Sequence, residues 1–250
     1  MAKIVYLDNL PAQEGISILE NQNKIEVVKI ESNNLEQSFK ELETAHAFQV
    51  SAARDEVPKI FHVDEEFLSK TPNLILVSSG GAGYDTIDVE ACSKRGILVV
   101  NQTGGNAEAV AEHAVALMLD LLKRVTETDS LLRKGWSGAR EDFIGRNLYK
   151  KIVGIIGLGN TGARVAEICH NGFNCNILAY DPYISNERFS KFKAKKTNLD
   201  ELLFKSDIVS VHIPLTKETH NSIDKNFYSK MKKGSLFITT SRGSIHNEDD

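Results

Sequence analysis

Apolar residues along this chain fall into short β-branched runs, with stretches of helical spacing between them, and the alternation repeats from end to end. Residues 3–7, 25–30, 47–50, 74–77 and 97–100 predict strands; 15–20, 35–42, 65–69 and 89–94 predict the intervening helices. Strands alternating with helices build a parallel α/β sheet, because each strand needs a crossover to return to the same edge. Thr103-Gly-Gly-Asn106 is a crossing point, with Asn106 able to cap a long helix whose stripe runs Val110, Ala114, Leu117, Leu121. Beyond it, 152–156 reads as a strand buried on both faces and 163–169 as a helix. A strand at 177–181 follows, then a short helix at 199–204 and a strand at 207–214 stopped by Pro214. A last buried strand starts at Gly234 and runs into Ser241-Arg242-Gly243. The pattern predicts an α/β chain of two parallel-sheet domains, 1–103 and 104–250. The strand ends at 156, 181, 213 and 240 should share one edge of the second sheet.

Composition narrows the class. At 250 residues, with 41% hydrophobic and 26% charged positions, the chain can bury ordinary cores. A net charge of −4 with no basic face gives no expectation of nucleic acid as a partner. The longest apolar candidate, 114–122, is short and carries Asp120, so no membrane span is expected. The start reads as a first strand and not as a signal peptide. Cys92, Cys169 and Cys175 lack metal-ligand spacing; idle thiols in a reducing cytoplasm, with no metal, are the expectation.

The candidate chemistry centres on Gly157-Leu-Gly-Asn-Thr-Gly162, placed between a strand and a helix. In a dinucleotide site Gly157 permits the tight turn, Gly159 lets backbone approach a pyrophosphate, and Gly162 lets helix and strand pack closely. The helix N-terminus presents unpaired N–H groups to the phosphates. Asp181 closes the next strand, about 20 residues on, where a carboxylate accepts from ribose hydroxyls and repels a 2′-phosphate; this favours NAD over NADP. Its plainer reading is the start of a turn with Pro182. The loop Ser78-Ser-Gly-Gly-Ala-Gly-Tyr-Asp85 is either an amide cradle for an anion or a flexible turn. Arg242, delivered to the cofactor edge, suits a two-oxygen contact with a 2-oxo or 2-hydroxy carboxylate better than it suits packing; a surface arginine is the alternative. His113 is given no role, and His212 is read as structural or cofactor-adjacent, not as a base.

Further pieces fall into one order: Gly81-Ala-Gly-Tyr-Asp-Thr-Ile-Asp88, Gly96-Ile-Leu-Val-Val-Asn101, Val110-Ala-Glu-His113, Tyr180-Asp-Pro182, Val211-His-Ile-Pro-Leu215 and Lys233-Gly234. With the glycine motif and Ser241-Arg-Gly243, the chain resembles the NAD-dependent D-isomer-specific 2-hydroxyacid dehydrogenases, nearest the D-3-phosphoglycerate dehydrogenase branch. The resemblance implies a flavodoxin-like substrate domain, a Rossmann NAD-binding domain and an active site in the cleft between them. It implies that amides near Ala82 and Gly83 hold the substrate carboxylate, that Asn160 and Thr161 meet the pyrophosphate, and that Asp181 meets the adenosine ribose. Ile213 and Ser241 pass close to the cofactor, and Arg242 is the catalytic arginine. It also implies a homodimer and a small 2-hydroxy/2-oxo acid of 3-phosphoglycerate, hydroxypyruvate or glyoxylate type.

Two departures accompany it. The family's catalytic glutamate and histidine follow the arginine motif and match no residue here. The ending at Asp250 reads as a cut-off, with little turnover expected of these residues alone. Ser79 stands where phosphoglycerate enzymes carry an arginine for the substrate phosphate. An NAD-sensing, corepressor-like protein and an inactive fragment are the alternative readings.

Overall fold

The β-branched runs pair in parallel, and each sheet gains its helices from the crossovers that parallel pairing requires. The computed structural model describes residues 1–9 and 13–250. They form two compact units, Met1–Asn106 and Ala107–Asp250.

In the first unit the strands are β1 (Ala2–Leu7), β2 (Ile25–Ile30), β3 (Ala47–Val50), β4 (Leu76–Ser79) and β5 (Leu98–Val100). The helices are α1 (Gln13–Glu20), α2 (Leu35–Glu43), α3 (Glu65–Ser69) and α4 (Val89–Lys94). The sheet order β2-β1-β3-β4-β5 is the flavodoxin-like one. Its main core joins Val5, Leu7, Phe48, Val50 and Val77 on one sheet face to Leu42, Phe67, Leu68 and Cys92 from the helices. Strand β4 lies two residues later than the hydrophobicity of 74–77 predicts. Its register against β3 pairs Ala47 with Leu76 and Val50 with Ser79, so two serines complete a strand whose apolar run stops early.

The second unit begins with α5 (Ala107–Lys123) and α6 (Val125–Arg133). It continues through β6 (Ile152–Ile156), α7 (Asn160–Phe173), β7 (Asn176–Tyr180), α8 (Asn186–Lys191), β8 (Ala194–Lys196), α9 (Leu199–Lys205), β9 (Ile208–Val211), α10 (Lys225–Lys230) and β10 (Leu236–Thr239). The order β10-β9-β6-β7-β8 is the Rossmann order, with the reversal of winding between β6 and β9. Alternate residues feed two cores. Val153, Ile155, Ile177 and Ile208 pack toward α5 and α7; Ile156, Leu178, Val209 and Val211 pack on the other face with Leu202 and Phe227. Ile156 pairs with Tyr180 and Val211, and Val211 with Thr239, so the four strands end level on one edge.

The predicted stripe of α5 is corrected. Ala111, Ala114, Val115, Met118 and Leu122 are its buried face, whereas Leu121 is 49% exposed. The helix is apolar on most sides, so periodicity alone does not fix its rotation; α7 packs against the side where small Ala111 and Ala114 permit close approach. Arg124, in the left-handed conformation at φ 57°, separates α5 from the unpredicted α6, and its guanidinium holds both oxygens of Glu127. Cys92, Cys169 and Cys175 are free and buried. No helix among the described residues is long and apolar enough to cross a membrane.

Two core positions are constrained beyond hydrophobicity. A Cβ on Gly154, in mid-strand, would lie 2.3 Å from Ser206 Oγ and 2.5 Å from Leu202 Cδ2, so α9 seats on β6 only because that atom is missing. Gly154→Ala should lower stability by about 1–3 kcal/mol in denaturant unfolding. His212, following β9, has Nε2 2.9 Å from Ser210 Oγ and a buried Nδ1 without a partner. Burial lowers its pKa to about 4, so the folded chain carries it neutral. Its stabilising contribution is therefore complete above the unfolded value near 6.5 and is lost as pH falls toward 4, amounting to about 3 kcal/mol. His212→Gln should flatten that part of the stability–pH curve; an unchanged slope would remove His212 as its source.

Candidate functional site

Strand β6 enters the glycine turn from the centre of its sheet, at the winding reversal where open α/β sheets bind ligands. Gly157 takes φ 86°, and a Cβ there would meet His212 O at 2.7 Å and Ile213 Cγ2 at 2.8 Å. The turn and the segment after β9 are thus in direct contact, which places Ile213 against it. At Gly162 a Cβ would fall 2.0 Å from Gly157 O, so the first turn of α7 lies directly on the glycine turn. Gly159 is different: a Cβ there would meet nothing within 4 Å. Two glycines are demanded by the packing of the protein itself, while the third faces open space.

Gly159 is the residue before α7 and makes no side-chain cap, and the first turn of the helix holds no acidic residue. The amide groups around Asn160 and Thr161 therefore meet no anion supplied by their own helix, which leaves them available to a phosphate. Across the turn, Asp181 Oδ2 accepts from the Leu158 amide at 2.9 Å, and Oδ1 accepts from the Tyr183 amide at 3.0 Å. The side chain faces the glycine turn, and each oxygen retains capacity for another hydrogen bond. One carboxylate therefore holds both the turn that begins at Pro182 and the Leu158 amide of the glycine turn. Arg188, which sequence reasoning passes over, donates from Nε to Leu158 O at 2.8 Å. Leu158 itself is fully buried, so its side chain and both of its backbone polar groups are engaged. These residues fit a dinucleotide: backbone is exposed at Gly159, anionic groups are lacking at the helix start, and a carboxylate stands beside the turn.

Further along this edge, Ser241 donates from Oγ to Val211 O at 3.1 Å, fastening the segment after β10 to the end of β9. Arg242 follows, half-buried, with Nη1 3.4 Å from Ser241 O, immediately before a helical turn over Gly243–Ile245.

In the first unit, the loop after β4 is held by its carbonyls. Gln102 N donates to Gly81 O at 3.0 Å, Asn101 Nδ2 to Ala82 O at 2.8 Å, and Ser79 Oγ to Gly83 O at 2.5 Å. The amides of Ala82 and Gly83 have no partner among the described residues. With these carbonyls tied back, the N–H groups of Ala82 and Gly83 are left available to an anion. Ser79 and Asn101 set this geometry. Only the polar continuation of an apolar strand hints at Ser79, and it is fully buried.

Residues 115–250 match the sequence model of the D-isomer specific 2-hydroxyacid dehydrogenase NAD binding domain. The D-3-phosphoglycerate dehydrogenase of Archaeoglobus fulgidus is 41% identical over 187 residues, covering 74% of this chain and 35% of the relative. That of Bacillus subtilis is 31% identical over 99% of this chain and 45% of its own length. Glyoxylate/hydroxypyruvate reductase B of Pectobacterium carotovorum is 34% identical over 75% of this chain and 59% of its own. The chain thus spans between about a third and three fifths of these curated relatives. Among solved structures, D-lactate dehydrogenase of Aquifex aeolicus, complexed with NAD and lactic acid, superposes with a TM-score of 0.83 at 30% identity. It covers 98% of this chain and 71% of that one. The NAD+-bound 3-phosphoglycerate dehydrogenase of Entamoeba histolytica gives 0.77 at 30% identity, over 99% and 74%. Two parallel sheets in flavodoxin-like and Rossmann order, a glycine turn with its acid, and a family match over more than half the chain agree: the chain belongs to the D-isomer specific 2-hydroxyacid dehydrogenase family.

Proposed function

We propose that the protein carrying this chain transfers a hydride between NAD(H) and a small D-2-hydroxy/2-oxo acid. The observation that carries the reading is the open space at Gly159, bounded by the start of α7 and by Asp181. NAD supplies the hydride acceptor or donor when bound. Backbone at Gly157, Gly159, Asn160, Thr161 and Gly162 binds its pyrophosphate, and Asp181 accepts from the adenosine ribose. Ile213, packed on the glycine turn, and Ser241, fastened to β9, flank the cofactor toward β10. The free amides of Ala82 and Gly83 hold the substrate carboxylate. Arg242 binds carboxylate and carbonyl oxygens, and favours the negative charge that the carbonyl oxygen takes on as hydride arrives. The proton transfer is not given to His212, whose ring is buried, neutral and bonded to Ser210.

Ser79 narrows the substrate. It is turned inward onto Gly83 and carries no charge, so this position offers no cation to a distal phosphate. That favours hydroxypyruvate or glyoxylate over 3-phosphoglycerate. Three free, buried thiols support a reducing cytoplasm as the compartment. Leu121, Val125, Leu132 and Ile144, all exposed in the second unit, support a homodimer through that unit.

Gly159→Val should leave the melting temperature near wild type while weakening NADH binding about tenfold or more, read by NADH fluorescence titration. Gly162→Val should fail to fold stably, because its side chain has no room. Equal NADH affinity in Gly159→Val would reject the cofactor placement. Arg242→Gln should lower kcat/KM for hydroxypyruvate by about two to three powers of ten without changing NADH affinity. Arg242→Lys should not restore it, since lysine lacks the planar fork. In the whole protein that carries this chain, NADH binding with no turnover of hydroxypyruvate, glyoxylate or 3-phosphohydroxypyruvate, together with a recruited protein partner, would favour the sensing alternative.

A further inference from the structure

The segments that leave β7 and β9 are joined by a side-chain bond. Tyr183 OH donates to Glu218 Oε2 at 2.5 Å. Because β6 lies between β7 and β9, the bond draws together segments that leave strands two spacings apart, on the order of 10 Å, at the edge where β6 enters the glycine turn. Both feet of the bridge are fixed. On the β7 side, the Tyr183 amide donates to Asp181 Oδ1, and the same carboxylate holds the Leu158 amide. On the β9 side, Thr219 Oγ1 donates to Pro214 O at 2.6 Å and accepts from the Thr216 amide at 2.8 Å, which fixes the loop that presents Glu218. The hydrogen bonds thus run from the glycine turn through Asp181, Tyr183 and Glu218 to the segment that leaves β9. Tyr183 is 78% exposed, so packing does not explain its position, and its hydrogen bond to the Glu218 carboxylate raises its phenol pKa.

We propose that Tyr183 and Glu218 form a latch over the adenosine half of the dinucleotide, closing after entry and slowing release. The proposal rests on the cofactor reading above and assigns both residues a positioning role, with no part in hydride transfer. The adenosine ribose lies beside Asp181, two residues before Tyr183, so the adenosine half lies on the β7 side of the turn, beneath the latch. A latch at this end acts on every ligand that carries adenosine diphosphate and is indifferent to the substrate acid.

Stopped-flow displacement of NADH and of ADP-ribose, with melting curves alongside, tests it. Tyr183→Phe and Glu218→Ala should each speed release of both ligands about three- to tenfold and raise Kd to match, with unchanged melting temperature. Glu218→Gln keeps an acceptor and should stay near wild type. The double variant should be no worse than either single one, because both remove the same bond. Wild-type release rates in Tyr183→Phe and Glu218→Ala would overturn the latch while leaving the cofactor site standing. Tighter binding in those variants would also overturn it, marking the bond as an obstruction. A wild-type chain that binds neither NADH nor ADP-ribose would overturn the latch and the cofactor reading together.

Discussion

The seating of α7 on the glycine turn is the constraint from which the second unit follows. A Cβ at residue 162 would lie 2.0 Å from the Gly157 carbonyl, so the helix approaches to a distance that no other residue permits. That approach aims the start of the helix along the end of β6, and the parallel order then brings β7 and β9 to either side. Asp181 and Ile213 reach the turn because their strands flank β6 and end level with it, and Ser241 reaches the end of β9 from the next strand. The same logic recurs lower in the strand, where Gly154 admits α9. Close helix–strand approach on both faces of β6 is bought with glycine in each case.

Much of this was legible in the sequence, for a physical reason. Parallel strands buried on both faces must be apolar throughout, so β6 and β9 announce themselves as runs; β10, half-buried at the end of the sheet order, is still mostly apolar. The glycine motif is legible because its spacing reflects steric limits, and the structure gives Gly157 and Gly162 the tight surroundings that motif requires. What stayed hidden depends on partners far away in the chain. β8 has only three residues, two of them exposed lysines, and exists through its pairing with β7. The end of β4 is hidden because Ser78 and Ser79 look like loop until the register with β3 is known. The rotation of α5 is hidden because its apolar residues surround the axis, and only α7 decides which side is covered. Small elements such as α8 and α10 carry no strong period within six residues.

The candidate site divides in the same way. Residue types with a steric or charge signature, such as Gly157, Asp181 and Arg242, are visible in the sequence; the groups that orient them are not. Nothing local marks Arg188 as the donor to Leu158 O, or Asn101 as the donor to Ala82 O. Ser79 illustrates the difference. In the sequence it is an absent arginine, whereas in the fold it is a buried hydroxyl that ties back one carbonyl of the loop.

Asp181 holds the Leu158 amide with one oxygen and the Tyr183 amide with the other, so it serves the architecture of the turn before any ligand arrives. On the proposed reading, the same carboxylate also sets the preference between the two nicotinamide coenzymes. A lineage drifting toward the phosphorylated coenzyme could not simply discard this acid. It would first need another acceptor for two backbone donors, which makes coenzyme choice in this protein an evolutionary commitment anchored in its scaffold.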